Sequence, residues 1–182
     1  MIIPVYRVVT SQFPIAATTA IEPGMVVMLN ASTGKAGPCT ATGFPIGLAA
    51  DRNRAAEAFE WVNRVTDSGN ETAASGLLSV YHGGGEFYVD EDDSSITTPG
   101  GTAITGVVAS GLNLTYGKIL YAAAAGQLST VDGNSGASKV CAVLETAASL
   151  SSGIPGEYAP GSSVAYADDS VPRLWIKVKL LV

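Results

Sequence analysis

The chain has 182 residues and a mass of 18.5 kDa, enough for one compact domain and too little for a large multidomain assembly. A formal net charge of -6 and a pI near 4.6 argue against nucleic-acid and anionic-membrane partners, because phosphate contacts need a basic surface that releases counterions. Hydrophobic residues reach 47% but aromatics only 7% and charged residues only 14%, while Gly 21 and Pro 9 mark a folded, turn-rich chain.

Short apolar runs fenced by Gly, Pro, Ser, Thr and Asn read as strands at residues 5–9, 25–29 and 46–49. A helix is expected over 54–65, where Ala55, Phe59, Val62 and Val65 form one stripe, although Phe59, Trp61 and Val65 also alternate as in a strand. Runs 77–81 and 86–89 follow, and the glycines between them suit a tight hairpin. Further strands are expected at 104–109, 118–121 and 140–144. The last run is the clearest: Leu174, Ile176, Val178, Leu180 and Val182 alternate with Arg173, Trp175, Lys177, Lys179 and Leu181, a period of two with one buried face. Its removal is expected to unfold the protein.

These runs predict an all-β fold, a barrel or a sandwich of short antiparallel strands with long loops and at most one short helix. A single β-rich domain over 1–182 is expected. Within it, Gly24 to Ala49 and Gly117 to Leu144 echo each other, each with a strand, a polar turn and a second apolar strand. Two related halves, about 20–50 and 113–145, would produce that echo, and so would any two hairpins of a Gly/Ala-rich β protein.

Chemistry-bearing motifs are sparse. Tyr81-His82-Gly83-Gly84-Gly85 has the form of a loop that supplies oxyanion-hole amides in some esterases, but no Gly-x-Ser-x-Gly elbow accompanies it and His82 is the sole histidine. Asp90-Glu91-Asp92-Asp93 and Asp168-Asp169 offer hard oxygen atoms without EF-hand spacing and read as solvated loops. No zinc spacing, Walker loop or dinucleotide fingerprint occurs, so neither catalysis nor a cofactor is expected. Cys39 and Cys141 match no metal or redox spacing and read as buried free thiols. The first residues lack a signal-peptide pattern and no run approaches a membrane span, which predicts synthesis in the cytoplasm. Three Asn-x-Ser/Thr triplets, at Asn30, Asn70 and Asn113, therefore carry no weight. Seven acids and no Lys or Arg lie between Val65 and Gly117, whereas Arg52, Arg54, Arg64, Arg173, Lys177 and Lys179 are basic clusters, a division that suggests opposed charged faces or an ordinary solvated surface.

Glu22-Pro23-Gly24-Met25-Val26-Val27, then Ile46-Gly47-Leu48-Ala49-Ala50-Asp51, then Leu78-Ser79-Val80-Tyr81 with Gly85-Glu86-Phe87-Tyr88-Val89, together resemble tailed-phage capsid cement (head decoration) proteins. The segments 52–74 and 151–170 depart from the shortest form of that pattern. The resemblance implies a non-enzymatic virion protein on the outer capsid surface, a homo-oligomer with a trimer favoured over a dimer, that bridges major capsid protein subunits. Ile2, Ile3, Val5, Tyr6 and Arg7 are the expected partner-binding residues, on an arm that reads equally as the first strand of the protein's own sheet. The alternative is a phage tail or surface module that binds host glycan through Trp61, Tyr116 and Tyr158.

Overall fold

Alternating apolar residues demand two covered sheet faces, and the computed structural model meets that demand with two antiparallel sheets packed on each other. The structure describes residues 2–15, 19–50, 76–90, 93–97, 103–104, 108, 112, 114–145 and 175–182. The expected helix over 54–65, with Trp61, Tyr158 and Asp168-Asp169, lies outside them.

The strands are β1 (Ile2–Tyr6), β2 (Val9–Pro14), β3 (Val26–Leu29), β4 (Ala36–Pro38), β5 (Pro45–Ala49), β6 (Leu77–His82), β7 (Glu86–Asp90), β8 (Asp93–Thr97), β9 (Ala103–Ile104), β10 (Ile119–Ala122), β11 (Leu128–Ser129), β12 (Lys139–Glu145) and β13 (Trp175–Leu180). A six-stranded sheet runs β1-β7-β13-β12-β10-β11, a five-stranded sheet runs β2-β6-β5-β3-β4, and β8 pairs with β9. Neither sheet forms a closed barrel, the ends of the five-stranded one being joined among the described residues by the single bridge Ile15–Ala36, so of the two architectures the alternation allowed, the fold is a β-sandwich. Of the run expected over 104–109, the described residues are Ile104, at the end of β9, and Val108, which bridges to Leu128.

The main core fills the space between the sheets. Phe87, Val89, Leu120, Cys141, Val143, Ile176, Val178 and Leu180 of the larger sheet meet Val26 and Leu48 of the smaller one, each fully or almost fully buried. Burying one such aliphatic or aromatic side chain contributes about 1.5–3 kcal/mol. The opposite face of the five-stranded sheet carries a second cluster, in which Val27, Ala49, Leu78 and Val80 pack with Ile15 and Ile21. On β13 the period of two is exact in effect: Ile176, Val178 and Leu180 are buried, while Lys179 and Leu181 are exposed. That strand lies between β7 and β12, well inside its sheet.

The two runs flanking His82-Gly83-Gly84-Gly85 do not form the expected hairpin with each other. β6 pairs with β2 and β5, whereas β7 pairs with β1 and β13, so the glycines carry the chain from one sheet into the other. The run expected over 5–9 divides for the same reason. Arg7 takes a positive φ of 53°, and the chain leaves β1 in the larger sheet to enter β2 in the smaller one. The two crossings lie side by side as an antiparallel ribbon bent over one corner of the sandwich. Its register runs from Ile2↔Val89 to Tyr6↔Glu86 on one side of the bend and from Val9↔His82 to Pro14↔Leu77 on the other. Gly83, Gly84 and Gly85 have φ of 71°, 94° and 107°, a run that residues bearing Cβ rarely adopt. The Val182 carbonyl accepts hydrogen bonds from the Gly83 amide at 2.7 Å and the Gly84 amide at 3.4 Å, and the Leu180 amide donates to the Gly85 carbonyl at 2.9 Å.

One arrangement occurs twice. β2-β6-β5-β3-β4 and β7-β13-β12-β10-β11 each place the first strand beside the last, then the fourth, second and third pairing strands of a segment. The correspondence extends to individual bonds. The Gly24 amide donates to Ala49 and the Gly117 amide to Val143, while Ala49 donates back to Met25 and Val143 to Lys118. The ladder register shifts between Val27 and Met28 in one segment and between Leu120 and Tyr121 in the other. Isolated parallel bridges, Ile15 to Ala36 and Val108 to Leu128, also match. The loops after β4 and β11 meet: Asn134 Nδ2 donates to the Thr42 carbonyl at 2.9 Å, and Gly133 lies against the Ala41 backbone.

Gly47, at φ 156°, faces the backbone of β6 so closely that a Cβ there would collide with the Tyr81 carbonyl and the Val80 side chain. Gly47→Ala is expected to lower unfolding stability by more than about 2 kcal/mol. Gly37→Ala, where a Cβ would meet nothing within 4 Å, is expected to change it by less than about 0.5 kcal/mol, both read from urea denaturation.

Candidate functional site

The outermost strand of each sheet at the bent corner comes from the N-terminal ribbon, β1 in the larger sheet and β2 in the smaller. Residues 4–10 are exposed without interruption. Within β1 the register shifts between Pro4 and Tyr6, which makes Val5 the extra residue of a bulge and turns it outward, 44% exposed. Tyr6 is 54% exposed, and the Arg7 guanidinium lies 5.1 Å from its ring centroid, a cation–π contact of about 0.5–1 kcal/mol at such a site. Val8 and Val9 extend the apolar run past the bend.

The residues expected to bind a partner therefore divide. Val5, Tyr6 and Arg7 face solvent, Ile2 is buried in the main core, and Ile3 holds a ladder position opposite Tyr88. The segment is a strand of the protein's own sheet and an exposed edge at once. The expected arm runs from residue 1 to residue 9, but Val8 and Val9 are not among the binding residues expected on it, because the sequence reading places one strand across the bend. The feature of the sequence at the division is Arg7 followed by the adjacent Val8 and Val9 before Thr10-Ser11-Gln12.

His82 sits on the same corner, at the end of β6. Its Nε2 lies 2.6 Å from Ser11 Oγ of β2, a diagonal cross-strand pair that sequence spacing did not reveal. Nothing else of an acyl-transfer site assembles there among the described residues. The Gly83 and Gly84 amides that an oxyanion would need point at the Val182 carbonyl instead. The three glycines serve the crossing between sheets.

Other chemistry is dispersed. Among the described residues no three His, Cys, Asp or Glu side chains group as metal ligands would, and no helix is long and apolar enough to cross a membrane. The basic and acidic stretches of the sequence are not segregated in space where both are described, since Lys177 Nζ of β13 lies 2.9 Å from Glu86 Oε2 of β7. An open groove of about 530 Å³ beside β4 is lined by Met28, Asn30, Thr33, Lys35 and Pro38 among others, and none of the described lining residues carries an aromatic ring on which a sugar would stack. Tyr116, 80% exposed, stands apart in the turn before β10.

Comparison with protein-family models, curated proteins and solved structures finds no match. The functional reading accordingly rests on this chain's own residues and geometry.

Both cysteines are free and buried in the main core, where each acts as a small apolar side chain. Burial pushes the Cys39 thiol from its ordinary value of 9.0 up to about 11 and raises Cys141 further in the same direction. A thiol held protonated by the fold leaves stability unchanged below the unfolded-state value and lowers it once the unfolded chain begins to ionise. Stability is expected to be flat in this respect up to pH 9.0 and to fall progressively toward pH 11. Cys39→Ser/Cys141→Ser controls isolate the thiol contribution in the same titration. At neutral pH an aromatic disulfide reagent is expected to label neither thiol in the native protein and both after denaturation.

Proposed function

We propose that this chain is a structural virion protein, a capsid decoration or cement protein that binds the outer surface of a tailed-phage head as a homo-oligomer and bridges major capsid protein subunits. The observation that carries the reading is the uninterrupted exposed edge of Val5, Tyr6, Arg7, Val8 and Val9 on a rigid two-sheet scaffold. Exposed edge strands rich in β-branched and aromatic residues invite pairing with a partner, and proteins that remain solitary normally blunt such edges with charge. The motif resemblance at 22–27, 46–51 and 78–89 supplies the kind of partner.

A clamp of this type needs no reactive group. It stabilises the assembled shell by binding that state in preference to the disassembled one. A standard interface buries about 1,600 Å², and a copy seated across two shell subunits makes its second contact at high effective concentration. The bulged Val5 and the Tyr6 ring, braced by Arg7, supply the anchors, because large apolar side chains at the centre of an interface contribute most of its binding energy.

Mixing the purified chain with decoration-free heads of tailed phages and sedimenting them tests the reading. The chain is expected to pellet with heads that it recognises and to raise the temperature at which they rupture. Val5→Asp/Tyr6→Asp is expected to weaken that binding at least tenfold, about 1.4 kcal/mol or more, with folding unchanged by circular dichroism. Absence of the chain from every pellet, or equal binding by the folded double variant, refutes the proposal.

A further inference from the structure

β7 and β2 hold the same place in the two matching strand arrangements, but their outer edges differ. β1 lies along the outer edge of β7, whereas among the described residues the outer edge of β2 is bridged only at its far end, where Ile15 meets Ala36 of β4, and is open from Val9 to Phe13. The phase of the ladder shows which backbone groups that edge presents. The Ile15 amide donates to the Gly76 carbonyl at 3.0 Å, in register with the β2–β6 pairing. Hydrogen-bonded and non-bonded positions alternate along an antiparallel pair, so Phe13, Ser11 and Val9 direct their backbone groups toward β6. Thr10 and Gln12 direct theirs outward. Pro14, which has no amide hydrogen, falls on an outward position as that phase requires. On the far side of β6 the Ala50 amide donates to the Ser79 carbonyl at 2.8 Å, and Ser79 stands opposite Gln12, which agrees with the same phase.

The exposed edge is also self-complementary. Val9-Thr10-Ser11-Gln12-Phe13 reads apolar, polar, small, polar, apolar in both directions and contains no charge. Reversed on itself about Ser11, it sets Thr10 opposite Gln12 and Val9 opposite Phe13. The first pair falls where both residues present outward backbone groups, so each exchanges two hydrogen bonds. The second sets a β-branched residue against an aromatic one, a favourable cross-strand combination. Both Val9 to Phe13 pairs lie on the sheet face of the second core cluster, against which Phe13 packs, and Val9 is 47% exposed in the single chain. Pro14 ends the seam by offering no donor to the next position.

We propose that β2 is a self-pairing edge, along which two copies of this chain join antiparallel about a two-fold axis at Ser11 and fuse their five-stranded sheets into one continuous sheet. An isologous contact of this kind closes at two copies, so the assembly unit is a dimer in place of the trimer that the resemblance implies. The seam takes Val9 from the exposed run and leaves Val5, Tyr6, Arg7 and Val8 outward, and its formation requires no capsid partner.

Sedimentation velocity of the full chain over a concentration series into the hundred-micromolar range tests the pairing. The wild type is expected to pass from monomer to dimer. Thr10→Lys/Gln12→Lys and Thr10→Glu/Gln12→Glu, which place like charges opposite each other across the seam, are each expected to remain monomeric. Their equimolar mixture is expected to recover a heterodimer. Hydrogen exchange reads the register directly: the Thr10 and Gln12 amides are expected to gain at least tenfold protection with concentration, while those of Ser11 and Phe13, already bonded to β6, stay constant. A wild type that is monomeric throughout, a dimer that survives the Lys variant, or a dimer in which the Thr10 and Gln12 amides gain no protection overturns the proposal.

Discussion

The bend at Arg7 and the triple-glycine crossing opposite it are one structural element, and the sandwich depends on it. Two neighbouring strands of chain must leave one sheet and enter the other within a few residues while remaining paired. That is achieved by putting every positive φ of the corner on Arg7, Gly83, Gly84 and Gly85. A left-handed conformation at a residue with a side chain costs about 1–2 kcal/mol, and Arg7 alone bears that cost. The other positive-φ positions of the bend are glycines. The corner is closed from a third direction by the chain beyond β13, whose Val182 carbonyl receives the glycine amides. Tyr81 and Phe87, on either side of the crossing, pack with their rings tilted at 41° and their centroids 5.0 Å apart, at the edge of the main core.

This corner also explains why the exposed apolar residues lie where they do. A strand paired on both sides has its backbone satisfied and its faces covered, but the ribbon that turns the corner is outermost in both sheets. Its side chains divide by position in the pleat, Ile2 inward to the main core and Phe13 against the second cluster, with Val5 displaced outward by the bulge. The scaffold beneath is rigid because both faces of the five-stranded sheet are packed, one against the larger sheet and one against Ile15 and Ile21. A binding edge on such a support loses little conformational entropy when it is occupied. Charged groups contribute little to this picture, since the well-defined ion pair between Lys177 and Glu86 lies across β13 and β7, away from the strand that bears Ser11.

Matching bonds at Gly24 and Gly117, and matching register shifts at Val27 and Leu120, show that two distant segments solve the same packing problem in the same way. In each, a glycine after a turn admits the chain to a central strand whose two neighbours come from later in the same segment. The loops that follow the third strand of each segment touch at Ala41 and Gly133, where the small residues allow close backbone approach. The echo visible between Gly24–Ala49 and Gly117–Leu144 is thus a structural correspondence down to the hydrogen-bond partners.

Local pattern was sufficient to reveal the all-β class, most strand positions, the buried face of β13 and the apolar character of the thiols, because each depends on which side chains alternate over a few residues. The N-terminal segment was legible in part: an arm or first strand reaching residue 9 was expected, and the structure shows Val5, Tyr6 and Arg7 exposed on it, whereas the bend between two sheets and the Ser11–His82 contact were not legible. The glycines after His82 announced positive φ, but a hairpin and a crossing between sheets require the same backbone freedom. Which one forms is decided by distant partners, Val182 for the glycine amides and β13 for β7. Likewise the apolar run at residues 2–9 marks a strand and is silent on its division between two sheets. Sequence alone therefore determined the elements and their inward faces, which are short-range consequences of side-chain burial; tertiary structure decided the pairing, the corner and the open edge, because those are set by hydrogen bonds between residues far apart along the chain.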